Sequence, residues 1–434
     1  MIKRFLITVV NLVIFLFLIG ESHSSAIANH EFNVYSKSYI TDENRSFLEG
    51  QSGLKLSRGL NLFLIEDVNF RRGKDLSLNI ELLQSYNDDI AKNEFYRGYL
   101  KYRIHKFSIE VGKDNINLGP GEYGLLLSNN VKPYPLILLQ TEEPLSFIGQ
   151  WNAIFIRGWL LEDRLDVSNP EIFALRFTWS PIALLGLGVT RTELFGGDGR
   201  PGYDIKDYPT LLFGTKDNVA GKFDNDGYGA YDITLNLPAD KVLSSVNEAK
   251  LYFEDAGTDI QASWQDEDKG KLKFPGFKLL NHAVKIGVSI SHIKNIFVLE
   301  YASTSDDFYI HHKYPVEGYT YKGLSLGYPY GHNMRSIFLK HKHFLGDSSA
   351  IEYKLGGYEQ PFNNSTEESM RRYYLSFLGS TKIGNYLLEG FTKLEKTDNY
   401  NINSLPLPSQ TSTSQLEADD KTFYTIGITV GYKF

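Results

Sequence analysis

The sequence contains no cysteine. A disulfide framework, a zinc–thiolate site and a cysteine nucleophile are therefore excluded. After residue 28, the sequence also lacks any apolar run that approaches the roughly 20 residues of a membrane-spanning helix. Any residence in a membrane must then depend on strands, because only helices and closed barrels satisfy every backbone polar group in lipid.

An excess of charge of one sign is also missing. The 434 residues include 45 basic and 52 acidic side chains, which gives a formal net charge of −7. Nucleic-acid binding needs a basic face, so we expect no nucleic-acid partner. The sequence has no P-loop, no dinucleotide fingerprint and no nucleophile elbow. Since no Ser/His/acid set occurs at a recognisable spacing either, we expect a protein that is not an enzyme and uses no cofactor.

Aromatic residues and glycine are abundant instead. Tyr and Phe number 28 each, Trp only 4, and glycine reaches 38 residues. Hydrophobic residues make up 42% of the chain, yet the mean hydropathy is −0.27. An outer-membrane barrel combines an apolar outer band and aromatic girdles with a polar interior, and it would show this mixture.

The N-terminus has the three parts of a secretory signal peptide in the usual order. Residues 1–4 are basic, residues 5–20 are mostly apolar, and Ala26 and Ala28 mark a small-residue cleavage site. The apolar part is shorter than a spanning helix, although an uncleaved anchor is the alternative interpretation. The predicted divisions are a signal peptide at 1–28, a short periplasmic segment at 29–46 and a transmembrane β-barrel at 47–434.

The end of the sequence shows the clearest strand pattern. Apolar residues alternate there with small or polar ones, the apolar set being Tyr424, Ile426, Ile428, Val430, Tyr432 and Phe434. Side chains alternate across a strand, so one face suits lipid and the other suits a wet lumen. Tyr432 and the terminal Phe434 resemble the signal by which outer-membrane assembly machinery recognises barrels. We therefore expect the barrel assembly machinery, outer-membrane lipid and lipopolysaccharide as partners, in the outer membrane of a Gram-negative cell.

The same period of two recurs along the chain, and helical spacing is not sustained over any comparable window. Segments with this pattern are 54–70, 76–86, 100–112, 175–190, 231–237, 284–290, 324–328 and 351–355. Spanning strands need about 9–11 residues. We therefore predict an all-β antiparallel transmembrane barrel, and the chain length fits roughly 16 to 18 strands. The predicted loops are 196–229, 359–368 and 399–420, and long loops in such barrels are extracellular.

Residues 112–147 carry a series of short motifs. They are Gly112-Lys113, Gly119-Pro120-Gly121, the run Leu125 to Asn130, the pair Pro133 and Pro135, and Leu139-Gln140-Thr141. The series resembles the Wzi family of capsule assembly outer-membrane proteins, and residues 251–259 resemble an acidic strand of that family more loosely. The resemblance implies an 18-stranded barrel that binds or anchors capsular or exopolysaccharide at the cell surface, without catalysis. It also implies polysaccharide export proteins as partners.

Family members often begin with a small helical bundle on the periplasmic side. Strand-like alternation begins here near residue 54, which leaves no room for three helices between Asn29 and Ser46. We therefore expect a barrel without an N-terminal helical bundle.

The family motif predicts a break in the barrel wall. Glycines on either side of Pro120 permit a tight turn with positive φ, and Pro133 and Pro135 cannot donate to a strand ladder. We predict that residues 119–135 fold inward and narrow the lumen. The residues assigned to this constriction are Gly119, Pro120, Gly121, Ser128, Asn129, Asn130, Pro133, Pro135 and Gln140.

Polysaccharide binding needs aromatic faces for sugar rings and carboxylates or amides for hydroxyls. Candidate glycan-binding residues are Tyr203, Asp204, Tyr208, Asp224, Asn225, Asp226, Tyr228 and Glu254. The alternative interpretation is that the tyrosines form the interface girdle and the Gly/Asp clusters are turns. A diffusion porin or substrate-selective channel is the alternative function on the same architecture.

No metal site is expected from the sequence. Asp224-x-Asp226-Gly227 resembles a calcium loop but has Leu235 where the twelfth-position glutamate would stand, so we interpret it as a turn. His341 and His343 share one strand face, and we interpret them as lumen lining rather than as metal ligands.

Overall fold

The computed structural model describes residues 28–43, 46–47, 49–87, 90–208, 210, 221–238, 246–258, 260–262, 277–279, 281–362, 365–400 and 419–434. In this part of the chain, no helix is long and apolar enough to cross a membrane. Residues 1–27, which hold most of the expected signal peptide and Ala26, lie outside the described residues.

Eighteen long antiparallel strands form one closed sheet, in which each strand pairs with its neighbours in sequence. The first nine are β1 (Ala28–Thr41), β2 (Gly59–Arg72), β3 (Leu76–Asn87), β4 (Ile90–Ile104), β5 (Phe107–Asp114), β6 (Tyr134–Thr141), β7 (Gln150–Trp159), β8 (Glu171–Ile182) and β9 (Leu185–Phe195). The others are β10 (Asp226–Leu237), β11 (Val246–Gly257), β12 (Ala283–His292), β13 (Asn295–Thr304), β14 (Met334–Phe344), β15 (Ser349–Phe362), β16 (Ser365–Ile383), β17 (Tyr386–Tyr400) and β18 (Asp419–Lys433). The predicted count of 18 and the absence of a helical bundle from the described N-terminal residues are confirmed.

The sheet closes at β1, which pairs with β18 on one side and β2 on the other. The predicted start of the barrel at residue 47 is therefore wrong, because residues 28–41 are part of its wall. Ala28, the expected cleavage residue, is the first residue of this strand. The strand escaped recognition because two of its outward positions are Ser36 and Ser38, which interrupt the apolar alternation.

Connections at the two ends of the barrel differ in length. Short turns at 73–75, 105–106, 183–184, 293–294 and 384–385 join strands at the end where β1 begins and β18 ends. At the opposite end, the connections at 115–133, 196–225 and 305–333 are long. Since outer-membrane barrels have short periplasmic turns and long extracellular loops, the long connections mark the extracellular end.

The outer face of the wall is apolar. Exposed residues alternate along the strands in a band that includes Leu100, Tyr102, Ile109, Val111, Leu299, Ile337, Leu375, Ile426 and Ile428. At the periplasmic end, Trp151 and Trp179 stack with ring centroids 5.2 Å apart. An apolar band edged by aromatic rings is the surface that lipid requires.

The extracellular half of the barrel has a hydrophobic core made by the protein's own connections. Residues 115–133 and 305–333 supply nearly half of a buried cluster, and most of its other members are inward residues of β6 to β14. We call these two connections the plug. Within it, Thr320–Tyr321 pairs with Leu324–Ser325. The prediction that 324–328 is a spanning strand is wrong: this extended segment lies in the plug, and alternation alone cannot distinguish the two locations.

Two of the three predicted loops need correction. The strands β15 and β16 occupy most of 359–368, because they have 14 and 19 residues and exceed the length needed to span the bilayer. The loop at 196–229 ends at Asn225, where β10 begins one residue later. Most of the loop predicted at 399–420 lies outside the described residues.

Candidate functional site

The Gly-Pro-Gly turn of the plug passes between two buried carboxylates. Gly119 and Gly121 have φ values of +112° and +83°, a region that side chains other than glycine rarely adopt. A Cβ atom at Gly119 would lie 2.7 Å from Oε1 of Glu254, and one at Gly121 would collide with Glu300. The backbone N–H of Glu122 donates to Oε2 of Glu300 at 3.0 Å. Glycine is required at both positions because the turn touches the barrel wall.

Lys285 joins this turn to the wall. Its Nζ lies 2.7 Å from Oε2 of Glu254 and donates to the carbonyl of Tyr123 at 2.6 Å, and both charged side chains are fully buried. The hydroxyl of Tyr252 donates to Glu300 at 2.8 Å. A buried charge is tolerated only with partners of this kind. The cluster of Glu254, Lys285 and Glu300 therefore fixes the plug to β11, β12 and β13.

The rest of the motif joins the two halves of the plug. The Ser128 N–H donates to the carbonyl of Leu326 at 2.8 Å, and the Asn130 amide donates to Ser325 at 3.4 Å. The Asn129 carbonyl accepts the Ser52 N–H at 3.0 Å. These contacts hold the segment against residues 305–333 and against Ser52.

Pro135 and Gln140 do not belong to the constriction. Pro135 is the second residue of β6, opposite Lys113, and Pro133 stands just before the strand. A proline near the start of a strand is compatible with pairing. Gln140 lies at the periplasmic end of β6, opposite Ser108, and donates to Glu142 at 3.0 Å.

A pocket of about 420 Å³ opens among the extracellular connections. Its lining includes the predicted Asn225 and Asp226, together with Asp307, His311 and His312 from the plug. Carboxylates, an amide and imidazoles are groups that can bind sugar hydroxyls.

Asp224 lies directly beside this pocket. Its Oδ1 is 3.0 Å from Nε2 of His312, and its Oδ2 is 3.0 Å from Nζ of Lys313. Burial alone would raise the pKa of Asp224, but the Lys313 hydrogen bond and the neighbouring His312 lower it below its ordinary value. Burial lowers the pKa of His311 to about 4, so its imidazole is neutral at pH 7. Asp224, His311 and His312 each have a ligand atom within 4.8 Å of the others.

The three predicted tyrosines are not among the residues that line the pocket. Tyr203 is buried between Phe195 and Phe223, with ring centroids 4.3 and 5.5 Å away. Tyr228 is fully buried among aromatic rings of the plug. Tyr208 packs on β7 and β8, where its hydroxyl accepts a hydrogen bond from Arg157 at 3.0 Å. A sugar-stacking role for Tyr203 or Tyr228 is therefore wrong, because neither ring face is exposed.

The acidic candidates Glu254 and Asp204 lie in different parts of the barrel, and neither lines the pocket. Glu254 is fully buried in the lumen cluster, where it pairs with Lys285 and lies away from the extracellular pocket. Asp204 is exposed, and Lys206 and Lys222 each lie 3.6 Å from its Oδ2. Asp307, His311 and His312 line the pocket but are not among the residues that the sequence predicts for it. The His-His pair is conspicuous in the sequence, but its proximity to Asp224 depends on the fold.

Two further cavities lie in the barrel interior. One of about 450 Å³ is bounded by Pro120, Arg176, Asp232 and Lys250. The other, of about 470 Å³, is bounded by Lys37, Glu81, Arg97 and Glu389. Only the first of these two cavities contacts the Gly-Pro-Gly turn of the plug among its lining residues.

These features define a class, an outer-membrane β-barrel whose extracellular half is filled by its own connections. More particularly, the chain belongs to the capsule assembly protein Wzi family, whose model matches residues 41–399. No curated protein matches the sequence.

Among solved structures, the chain is similar to Escherichia coli Wzi, an outer-membrane protein involved in group 1 capsule assembly and described as a carbohydrate-binding β-barrel. The TM-score is 0.64 at 16% identity, with 91% of this chain and 83% of that chain covered. It is also similar to OpdQ of Pseudomonas aeruginosa, with a TM-score of 0.54 at 10% identity. That match covers 94% of this chain and 98% of OpdQ. For OccAB2 of Acinetobacter baumannii the TM-score is 0.54 at 9% identity, and the match again covers 94% of this chain and 98% of that chain. At these identities the likeness concerns the fold.

Proposed function

We propose that this protein binds capsular or exopolysaccharide in its extracellular pocket and anchors the polymer at the cell surface, without catalysis. The observation that carries the proposal is the pocket of about 420 Å³ lined by Asn225, Asp226 and Asp307. Membership of the capsule assembly family supports it, as does the carbohydrate binding described for the Escherichia coli protein.

The position of the pocket suits a long polymer. It opens on the extracellular side, above a plug that packs into a single hydrophobic cluster. A polymer held there would contact the outer face without passing through the barrel. Polysaccharide export proteins and the barrel assembly machinery are the further partners we propose.

The test is polysaccharide retention in a strain that lacks the gene, comparing cell-bound with released polymer. We expect the polymer to be made but shed, and the wild-type gene to restore retention. A variant with Asp307→Ala should fail to restore it, because sugar hydroxyls lose a hydrogen-bond partner that is exposed in the pocket. The matched control is Asp347→Ala, an exposed acid in a periplasmic turn. Unchanged retention with reduced uptake of small solutes would instead indicate the alternative function, a channel.

A further inference from the structure

The side chains of Asp224, His311 and His312 converge beside the extracellular pocket, although they come from different connections. Asp224 ends the 196–225 connection, and the two histidines belong to the plug. One ligand atom from each residue lies within 4.8 Å of the others. We propose that these residues bind one divalent transition-metal ion, with Zn²⁺ the best fit, and that the ion joins the two connections. This proposal does not depend on the proposed polysaccharide function.

The distances suit a small tetrahedral ion. Bonds of about 2.0–2.2 Å from zinc to imidazole nitrogen and carboxylate oxygen place ligand atoms roughly 3.3–3.6 Å apart. Oδ1 of Asp224 and Nε2 of His312 are already 3.0 Å apart. His312 is exposed, so its side chain has room to adjust toward this geometry. The fourth position would then face the pocket.

Burial gives a second, independent indication. Asp224 is only 7% exposed. Nε2 of His311 is buried and has no hydrogen-bond partner among the described residues. Buried polar atoms nearly always have partners, so an orphaned imidazole nitrogen beside a buried carboxylate indicates a ligand. Two imidazoles and one carboxylate favour zinc, copper or nickel over calcium and magnesium, which prefer oxygen ligands.

Two local contacts must change when the metal binds. Nδ1 of His311 accepts the Lys313 N–H at 3.2 Å, and coordination through Nε2 would place the remaining ring proton on Nδ1 and open that long contact. The Lys313 ammonium, 3.0 Å from Oδ2 of Asp224, competes with the metal for the carboxylate. Removal of this ammonium should therefore strengthen metal binding, whereas a purely structural role for the cluster predicts no such gain.

The experiment is calorimetric titration of the purified, detergent-solubilised full chain with ZnCl₂ after chelator treatment. We expect saturable binding of one ion, weakened about tenfold or more in His311→Gln and in Asp224→Asn. Lys313→Gln should bind zinc more tightly than the wild type. Calcium and magnesium titrations should show no comparable binding.

The control is His343→Gln, which alters the other pair of neighbouring histidines, His341 and His343, around Asn295. It should leave zinc binding unchanged. Loss of binding in this control, or equal binding in all variants, would overturn the proposal. So would the absence of saturable binding up to about millimolar zinc, a concentration beyond which specific sites are not distinguished. Lys313→Gln keeps the test decisive if a ligand variant misfolds, because it replaces a partly exposed side chain.

Discussion

Lys285 connects the plug with the barrel wall. Its ammonium lies between the plug and a fully buried Glu254, with Glu300 close by on the next strand. The register explains the arrangement, because Glu254 and Lys285 are directly opposite each other in the β11–β12 pair. Cross-strand neighbours with opposite charges stabilise a sheet, and here they also hold the connection that fills the lumen.

We expect Lys285→Ala to destabilise the folded barrel by about 3–5 kcal/mol, because it leaves an unpaired buried carboxylate. The measurement is the denaturant midpoint for loss of the heat-modifiable folded form on gels. The control is Lys250→Ala, whose exposed pair with Glu248 should contribute less than about 1 kcal/mol. Equal midpoints for the two variants would contradict the role given to Lys285.

For single residues, the sequence predicts candidate functional side chains but not which residues they contact. The sequence singles out Glu254 as a candidate binding residue, but it does not show what this carboxylate contacts. Its partner is 31 residues later and is set by strand register, which no local pattern contains. For the same reason, the sequence does not predict that Asp224 and His311 lie close together.

The plug is the element that distinguishes this barrel from an open pore. Its Gly-Pro-Gly turn and its prolines were recognisable because they break the period of two. Its second half, residues 305–333, was not recognised, and part of it was predicted to be a strand. An extended segment with apolar residues at every second position has the same pattern in a barrel wall and in a packed interior.

Replacement of residues 119–127 by a short Gly/Ser linker should open the lumen. We expect larger single-channel conductance in planar bilayers, since the linker removes Leu125, Leu126 and Leu127 from the buried cluster. The control carries Leu161→Ser and Leu165→Ser, two exposed residues of an extracellular connection, and should conduct as the wild type does. Unchanged conductance in the linker variant would show that other residues close the lumen.

The whole barrel is asymmetric in height. Strands β5 and β6 have 8 residues each, whereas β15 to β18 have between 14 and 19. The short strands β5 and β6 flank the 115–133 connection, which enters the lumen. The long strands β15 to β18 lie elsewhere around the barrel wall. Chain length and the even-count rule limit the strand number to roughly 16 to 18, and the family resemblance favours 18. This difference in height was not predictable, because polar residues above the membrane resemble loops.

Phe434 belongs to this scale because it lies at the seam of the barrel. It is 67% exposed, its N–H donates to the carbonyl of Phe32 at 2.9 Å, and its ring lies 4.6 Å from that of Tyr432. We expect Phe434→Ala to lower the amount of folded protein in outer-membrane fractions several-fold, because the proposed assembly signal is lost. Phe147→Ala, another exposed aromatic on the periplasmic side, is the control. Similar amounts in both would contradict the signal.

The pairing of β1 with β18 has a consequence for folding kinetics. Thr41 and Thr425 meet across the seam although 384 residues separate them. Contacts of such high sequence separation form slowly, because the entropy of loop closure is lost before they contribute. The edge of β1 that pairs with β18 therefore stays unpaired until β18 has been made. During that interval both free edges can pair with other chains, so a nascent barrel of this design depends on a chaperone to prevent aggregation.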